Sequence, residues 1–240
     1  MRNFIPIATV LAACALQAAE PLQPASAVLQ KYIDVTGGTA AWERVHSEID
    51  MGRIAWPDKG LAGSFTRYLT APDHELDSMD LQPAGRIDAG FENGIAWEKS
   101  AGRSGRIKKD EELEAAARDA RFHAVARWTQ FYSKEETIGV EPVGGDDCFK
   151  VSMIPKSGDP EVEYFSKNTG LLVKTVIGSA ENAEDAVTET YSGYKDFDGL
   201  KLPSLTTRQS SDEVITIAIA GVTWNEPIPA DYFTPPKDIR

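Results

Sequence analysis

The side chains able to do chemistry in this chain are of few kinds and fall into no reactive spacing. His46, His74 and His123 are the three histidines, and none has a metal-ligand spacing or an HExxH context; they read as surface or turn residues. Cys148 follows Asp146 and Asp147, whose charge would raise a thiol pKa, and it enters an alternating segment, the setting of a buried, inert thiol. Ser192-Gly193-Tyr194-Lys195 matches the SxxK pattern of serine enzymes with a lysine base, but that chemistry uses one turn of helix. Here the four residues lie in an alternating stretch, where positions three apart face opposite sides. There is no GxSxG elbow and no glycine loop ending in Lys-Ser or Lys-Thr. Carboxylates such as Asp77, Asp80, Glu161, Glu163, Glu184 and Asp185 are abundant. An acidic chain supplies such pairs by composition alone, and a glycosidase pair is defined by separation, not by order. The residues name no catalytic group, no metal site and no cofactor.

The elements that would position any site follow from the alternation. From residue 47 onward, short alternating segments separated by turns run at 47–56, 60–71, 75–82, 86–91 and 95–99, and again at 135–143, 149–154, 162–165, 171–177, 187–195, 200–208 and 214–224. The turns include Pro57-Asp58-Lys59-Gly60, Glu92-Asn93-Gly94, Gly144-Gly145, Lys167-Asn168-Thr169-Gly170 and Asp198-Gly199. About eleven or twelve strands without intervening helices imply a mainly β antiparallel meander. At roughly 4.8 Å per strand a flat sheet of this size would exceed about 50 Å, so twist should curl it into an incomplete barrel with a face to fill.

Helices are expected at 25–36, with Val28, Leu29, Tyr32 and Ile33 on one face and Gly37-Gly38 as the stop, and at 39–45 around Trp42. A central helix is expected over 110–132, with Asp110 as N-cap and an Ala-rich stripe of Leu113, Ala117, Ala120, Ala124 and Trp128. Phe122, Val125 and Phe131 fall off that stripe, which suggests a break near 121–123. The Pro-rich segment 227–236 should lie over the end of the sheet, pinned by Tyr232 and Phe233.

The formal charge of −12 argues against nucleic acid and against adhesion to anionic lipid. The basic cluster Arg103, Arg106, Lys108 and Lys109 runs directly into Asp110, Glu111 and Glu112, the pattern of a solvated loop leading into a helix. Residues 1–19 have the order of a secretory signal: Arg2, an apolar run from Phe4 to about Leu16, then small residues. Two processing readings stand. Leu11-Ala12-Ala13-Cys14 fits a lipobox with Cys14 lipidated, while Leu16-Gln17-Ala18 or Ala13-Cys14-Ala15 suits ordinary cleavage. Only Cys148 then remains in residues 20–240, which suit one large all-β domain without a disulfide.

Several stretches together carry a resemblance: Lys31-Tyr32-Ile33 through Thr36-Gly37-Gly38 to Trp42, Gly90-Phe91-Glu92-Asn93-Gly94-Ile95-Ala96-Trp97, Tyr164-Phe165 with Lys167-Asn168-Thr169-Gly170-Leu171-Leu172, and Asp198-Gly199-Leu200-Lys201-Leu202-Pro203. Over about residues 25–235 the chain resembles bacterial outer-membrane-lipoprotein-sorting-like proteins, related in fold to the periplasmic lipoprotein carriers. The resemblance implies a strongly curved half-barrel with helices plugging its mouth, and an apolar cavity for acyl chains. The expected function is a non-catalytic carrier of a lipid or lipid-modified protein, periplasmic and either soluble or anchored to the outer membrane. Trp97, Leu113, Phe122, Trp128 and Ile217 are the candidate cavity residues. Two alternatives remain open: an envelope scaffold binding a protein through its sheet surface or edge, and an envelope hydrolase. A packed interior favours the scaffold, and Asp, His and Ser side chains clustered in a pocket favour the hydrolase.

Overall fold

The computed structural model describes residues 21–178 and 186–239. Residues 1–19, expected to be an export signal, Cys14 among them, lie outside these residues, as do Glu184 and Asp185. Helix α1 (Ala25–Val35) buries Val28, Leu29, Tyr32 and Ile33, as the apolar spacing predicts. Gly37 at φ 138° and Gly38 at φ 83° end it, and α2 (Thr39–Arg44) follows. Between the two helices the Trp42 indole donates to Thr36 Oγ1 at 3.0 Å, which satisfies two buried polar groups.

The first meander comprises β1 (Ser47–Trp56), β2 (Leu61–Thr70), β3 (His74–Gln82), β4 (Gly85–Glu92), β5 (Ile95–Ser100) and β6 (Arg106–Ile107). Helices α3 (Asp110–Asp119) and α4 (Trp128–Phe131) intervene. The second series is β7 (Tyr132–Val143), β8 (Asp146–Pro155), β9 (Glu161–Ser166), β10 (Leu172–Ile177), β11 (Val187–Ser192), β12 (Lys195–Phe197), β13 (Leu200–Leu202), β14 (Leu205–Gln209) and β15 (Val214–Trp224). Thirteen strands form one antiparallel sheet in the order β6-β5-β4-β3-β2-β1-β15-β14-β11-β10-β9-β8-β7, with β12 and β13 as a separate hairpin. Pairing of β1 with β15 joins the two meanders, and the edges β6 and β7 do not meet, so the barrel is incomplete. Asn93 and Gly94, at φ 51° and 77°, make the tight turn between β4 and β5 that an Asn-Gly pair favours.

Four expectations are corrected. The segments expected as single strands at 187–195 and 200–208 each break, at Gly193 (φ 62°) and at Pro203, which has no N–H for a ladder. The Ser204 hydroxyl bonds Gly193 O at 2.6 Å across the two breaks. The helix expected over 110–132 stops at Asp119, and turns carry the chain to α4. The physical reason is that Ala120 packs with Phe91 and Ala96, while Phe122 enters the main core, so no single helix face serves both. Lys109, not Asp110, holds the N-cap position, and it makes no side-chain cap.

The inner face of the sheet is filled unequally. Over β8 to β10, Leu29, Ile33, Trp42 and Phe122 pack on Val151, Met153, Phe165 and Leu172. Over β1 to β4 a smaller layer of Ile54, Phe65, Met79 and Leu81 is left, with α3 as its neighbour across β4 and β5. The C-terminal segment covers the opposite face, where Phe233 packs with Leu76 and Trp97 and the Trp97 indole donates to Phe233 O at 2.7 Å. Tyr232 stacks edge-on against Tyr68 at 5.3 Å. Cys148 is fully buried, and burial raises its thiol pKa, with Asp146 adding to the effect.

Candidate functional site

The unfilled half of the inner face is a cavity of about 710 Å³, within the range of roughly 300 to 1,000 Å³ usual for small-molecule sites. Alternation of side chains along the strands builds its wall. In β1 the inward positions are Glu48, Asp50, Ile54 and Trp56; in β2, Arg67 and Leu69; in β3, Asp77 and Met79; in β15, Ile215, Ile217 and Ile219. From α3 come Glu112, Ala115, Ala116 and Asp119, and from the turns after it Arg121 and His123. The small side chains of α3 leave space between helix and sheet.

The wall is divided along the strands. Ile54 lies opposite Ile217 and Gly52 opposite Ile219, so one end is aliphatic. At the other end Asp50 lies opposite Arg67, and Arg67 opposite Asp77. Arg67 grips Asp77 with Nε to Oδ1 at 2.8 Å and Nη2 to Oδ2 at 2.9 Å, and its Nε lies 2.9 Å from Glu75 Oε1. Glu48, 2% exposed, contacts Nε2 of His123. Asp119, at the end of α3, accepts from Arg208 Nη1 at 2.8 Å, and Arg208 also bonds Glu189 at 3.2 Å, which ties the helix to the sheet.

Burial governs the ionisation of these groups. It pushes Glu48 up to about 7, against the pull of a hydrogen bond with Asp50 and the charge of Arg67. It holds Asp50 well above the usual carboxylate range, with the Glu48 charge adding to it. It drives His123 down to about 4, so the imidazole is neutral at neutral pH. For Asp119, Arg208 and Arg118 outweigh burial and keep the carboxyl below its ordinary value. A second pocket of about 190 Å³ shares Asp119, Arg121, Leu172, Glu189 and Tyr191 with the first, and Glu163 lines it, raised by burial and by Glu161.

No protein-family model matches the sequence, and no curated protein matches it. Solved structures do match the fold. A DUF1329 family protein from Desulfovibrio piger aligns with TM-score 0.61 at 13% identity, covering 88% of this chain and 98% of its own. A LolA superfamily protein from Nitrosomonas europaea aligns with TM-score 0.61 at 14% identity, covering 89% and 99%. The chain has an outer-membrane-lipoprotein-sorting-like fold. At such identities the likeness concerns the backbone fold alone.

Within that fold the five sequence-derived candidates take different places. Ile217 lines the cavity. Phe122 is buried in the main core and Trp128 packs partly buried against it. Leu113 lies against the cluster of Phe91, Ala96 and Ala120, on the underside of α3. Trp97 points away from the cavity, since its strand neighbour Glu98 is the one that lines it, and packs beneath the C-terminal segment. Glu48, Asp50, Glu75 and Arg67 are not among the residues expected from the sequence, and His123 is expected there as a surface or turn residue. His123 does sit in a turn, at φ 50°, but its ring is enclosed by Trp42, Phe122 and Trp224. The basic segment 103–109 is also more than a solvated loop: Arg106 pairs bidentately with Glu112 at 2.6 Å, and Lys108 reaches the cavity wall. A signal for the missed residues exists in the alternation, because Glu48 and Asp50 share the stripe of Ile54, and Arg67 that of Phe65 and Leu69.

Proposed function

We propose that the chain is a carrier or binder of a lipid or lipid-modified partner in the bacterial envelope. The observation that carries this reading is the cavity of about 710 Å³ lined by α3 and the sheet, with an aliphatic end of Ile54, Met79, Ile87, Ile215, Ile217 and Ile219. Each methylene moved from water into such a lining gains about 0.8 kcal/mol, so a chain of about ten carbons is held by transfer alone. In this reading residues 1–19 direct export, residues 20–240 form one carrier domain in the periplasm, and Cys14 is either removed with the signal or kept as a lipid anchor. No helix of the described residues is long and apolar enough to cross a membrane.

Protein purified without detergent should show lipid adducts in native mass spectrometry. It should also enhance the fluorescence of the uncharged dye N-phenyl-1-naphthylamine. The substitution Ile217→Trp, which fills the aliphatic end, should weaken dye binding about tenfold or more while far-ultraviolet circular dichroism is unchanged. Adduct-free protein that takes up no dye would overturn the carrier reading.

The contact of Glu48 with His123 favours a second reading, acid–base catalysis on an envelope substrate. Among the described residues the cavity wall holds no Ser or Cys, and such chemistry would activate water or the Thr206 hydroxyl. Turnover of an ester or amide that is lost in Glu48→Gln would favour this reading over the carrier.

A further inference from the structure

Across the cavity floor, β1 to β5 set Asp50, Arg67, Asp77, Ala89 and Glu98 directly opposite one another in a single row. In the adjacent row Glu48 lies opposite Leu69, and Leu69 opposite Glu75. Among the described residues eight carboxyl-bearing and four cationic side chains line the cavity, and each cation lies within 4 Å of a carboxylate, although Arg121 keeps an Nη1 without a hydrogen-bond partner. Arg67 holds Asp77 and Glu75, Arg208 holds Asp119 and Glu189, Arg121 pairs with Glu161, and Lys108 lies 3.9 Å from Glu98.

What remains without a counter-charge is acid. Asp50 lines the cavity, is 7% exposed, and has an Oδ1 with no hydrogen-bond partner among the described residues. A buried polar atom in that state costs free energy that a bound donor would recover. The groups that face Asp50 are Glu48 on its own strand, Arg67 on β2, Glu75 and Asp77 on β3, and His123 from the turns after α3. Only Arg67 among them is a cation at neutral pH, and Asp77 and Glu75 hold it. An anionic head brought against Asp50 would meet surplus carboxyls, and the cation beside them, Arg67, is already held by Asp77 and Glu75. A neutral hydroxyl could donate to Asp50 but would leave the carboxyl crowding unrelieved. A protonated amine does both.

We infer that the cavity takes an amphiphile bearing a protonated amino group, with the ammonium against Asp50 and Glu48 and the hydrocarbon along Ile54, Met79, Ile217 and Ile219. The assignment rests on the carrier reading and adds the chemistry of the ligand's head. Burial raises both carboxyls, Glu48 to about 7 and Asp50 well above its ordinary range, with Arg67 opposing the rise in each, and an ammonium seated against them favours their ionised form. Each carboxyl that ionises releases one proton to the solvent, which makes the binding enthalpy depend on the buffer.

Isothermal titration of the mature protein with dodecylammonium, dodecanol and dodecanoate, each below its micelle-forming concentration, separates the head from the tail. The expected result is that dodecylammonium binds about tenfold or more tightly than the other two, with a heat that changes with the ionisation enthalpy of the buffer. Asp50→Asn, nearly isosteric and checked by circular dichroism, should bring dodecylammonium down to the affinity of dodecanol measured on the same variant. Dodecanoate binding as tightly as dodecylammonium, or an undiminished amine preference in Asp50→Asn, overturns the assignment of the head and leaves the carrier reading in place. Failure of all three amphiphiles to bind overturns both.

Discussion

Replacing Glu48 by Gln tests whether the cavity holds a carboxyl in its protonated form. Glu48 is 2% exposed, and its pKa in the folded protein, about 7, stands above the ordinary value of 4.5. The folded state therefore binds this proton more tightly than the unfolded state does. The contribution is fully present below pH 4.5 and is lost as pH rises through about 7. At about 1.36 kcal/mol per pH unit, the interval corresponds to about 3 kcal/mol. His123, held down to about 4, has the opposite dependence between that value and 6.5, but it is present in both proteins and largely cancels in the comparison. Glutamine preserves the shape of the side chain and a group able to bond Nε2 of His123, while removing the ionisation. Urea unfolding of both proteins at intervals between about pH 4 and pH 8 should show the variant gaining on the parent by up to about 3 kcal/mol as pH rises. Parallel stability curves across that range would refute the reasoning, because they would mean that Glu48 ionises inside the protein as readily as in the unfolded chain.

The outer face supplies two further tests. Trp97→Phe keeps the ring packing on Leu76 and Phe233 but removes the 2.7 Å hydrogen bond to Phe233 O, so it should cost about 1 kcal/mol. Hydrogen exchange should rise in the segment around Phe233, while dye uptake by the cavity on the other face is unchanged. Gly90→Ala would set a Cβ 2.6 Å from the Trp97 indole, forcing the ring off its seat. The expected loss is about 1 to 3 kcal/mol with a shifted tryptophan fluorescence spectrum, and an unaltered spectrum would count against this packing.

Alternation and turn chemistry are local properties, and local properties were legible. Ser47–Trp56 and Val214–Trp224 begin and end where the alternation does, because period-two patterning and flanking turns act within a few residues. The Asn93-Gly94 turn and the halt of α1 at Gly37-Gly38 follow from backbone freedom at single positions. The break between α3 and α4 was signalled by Phe122 leaving the Ala stripe. By contrast, the splits at Gly193 and Pro203 depend on how β12 and β13 fold away from the main sheet, a choice made by the surroundings.

The sequence by itself determined the antiparallel meander, the apolar face of α1, the inert setting of Cys148 and the acidic balance, since each depends on composition or on neighbours along the chain. Only the tertiary structure decided which face of each strand is enclosed, and with it the character of the cavity. Asp50, Arg67 and Asp77 lie on three strands and become one polar floor through cross-strand register. His123 comes from a turn seventy-five positions from Glu48 and meets it only because α3 ends where it does. Trp97 and Ile217 both looked like cavity residues, yet alternation sends one to the outer face and the other to the inner, and which face is inner is fixed by the helices that cover it.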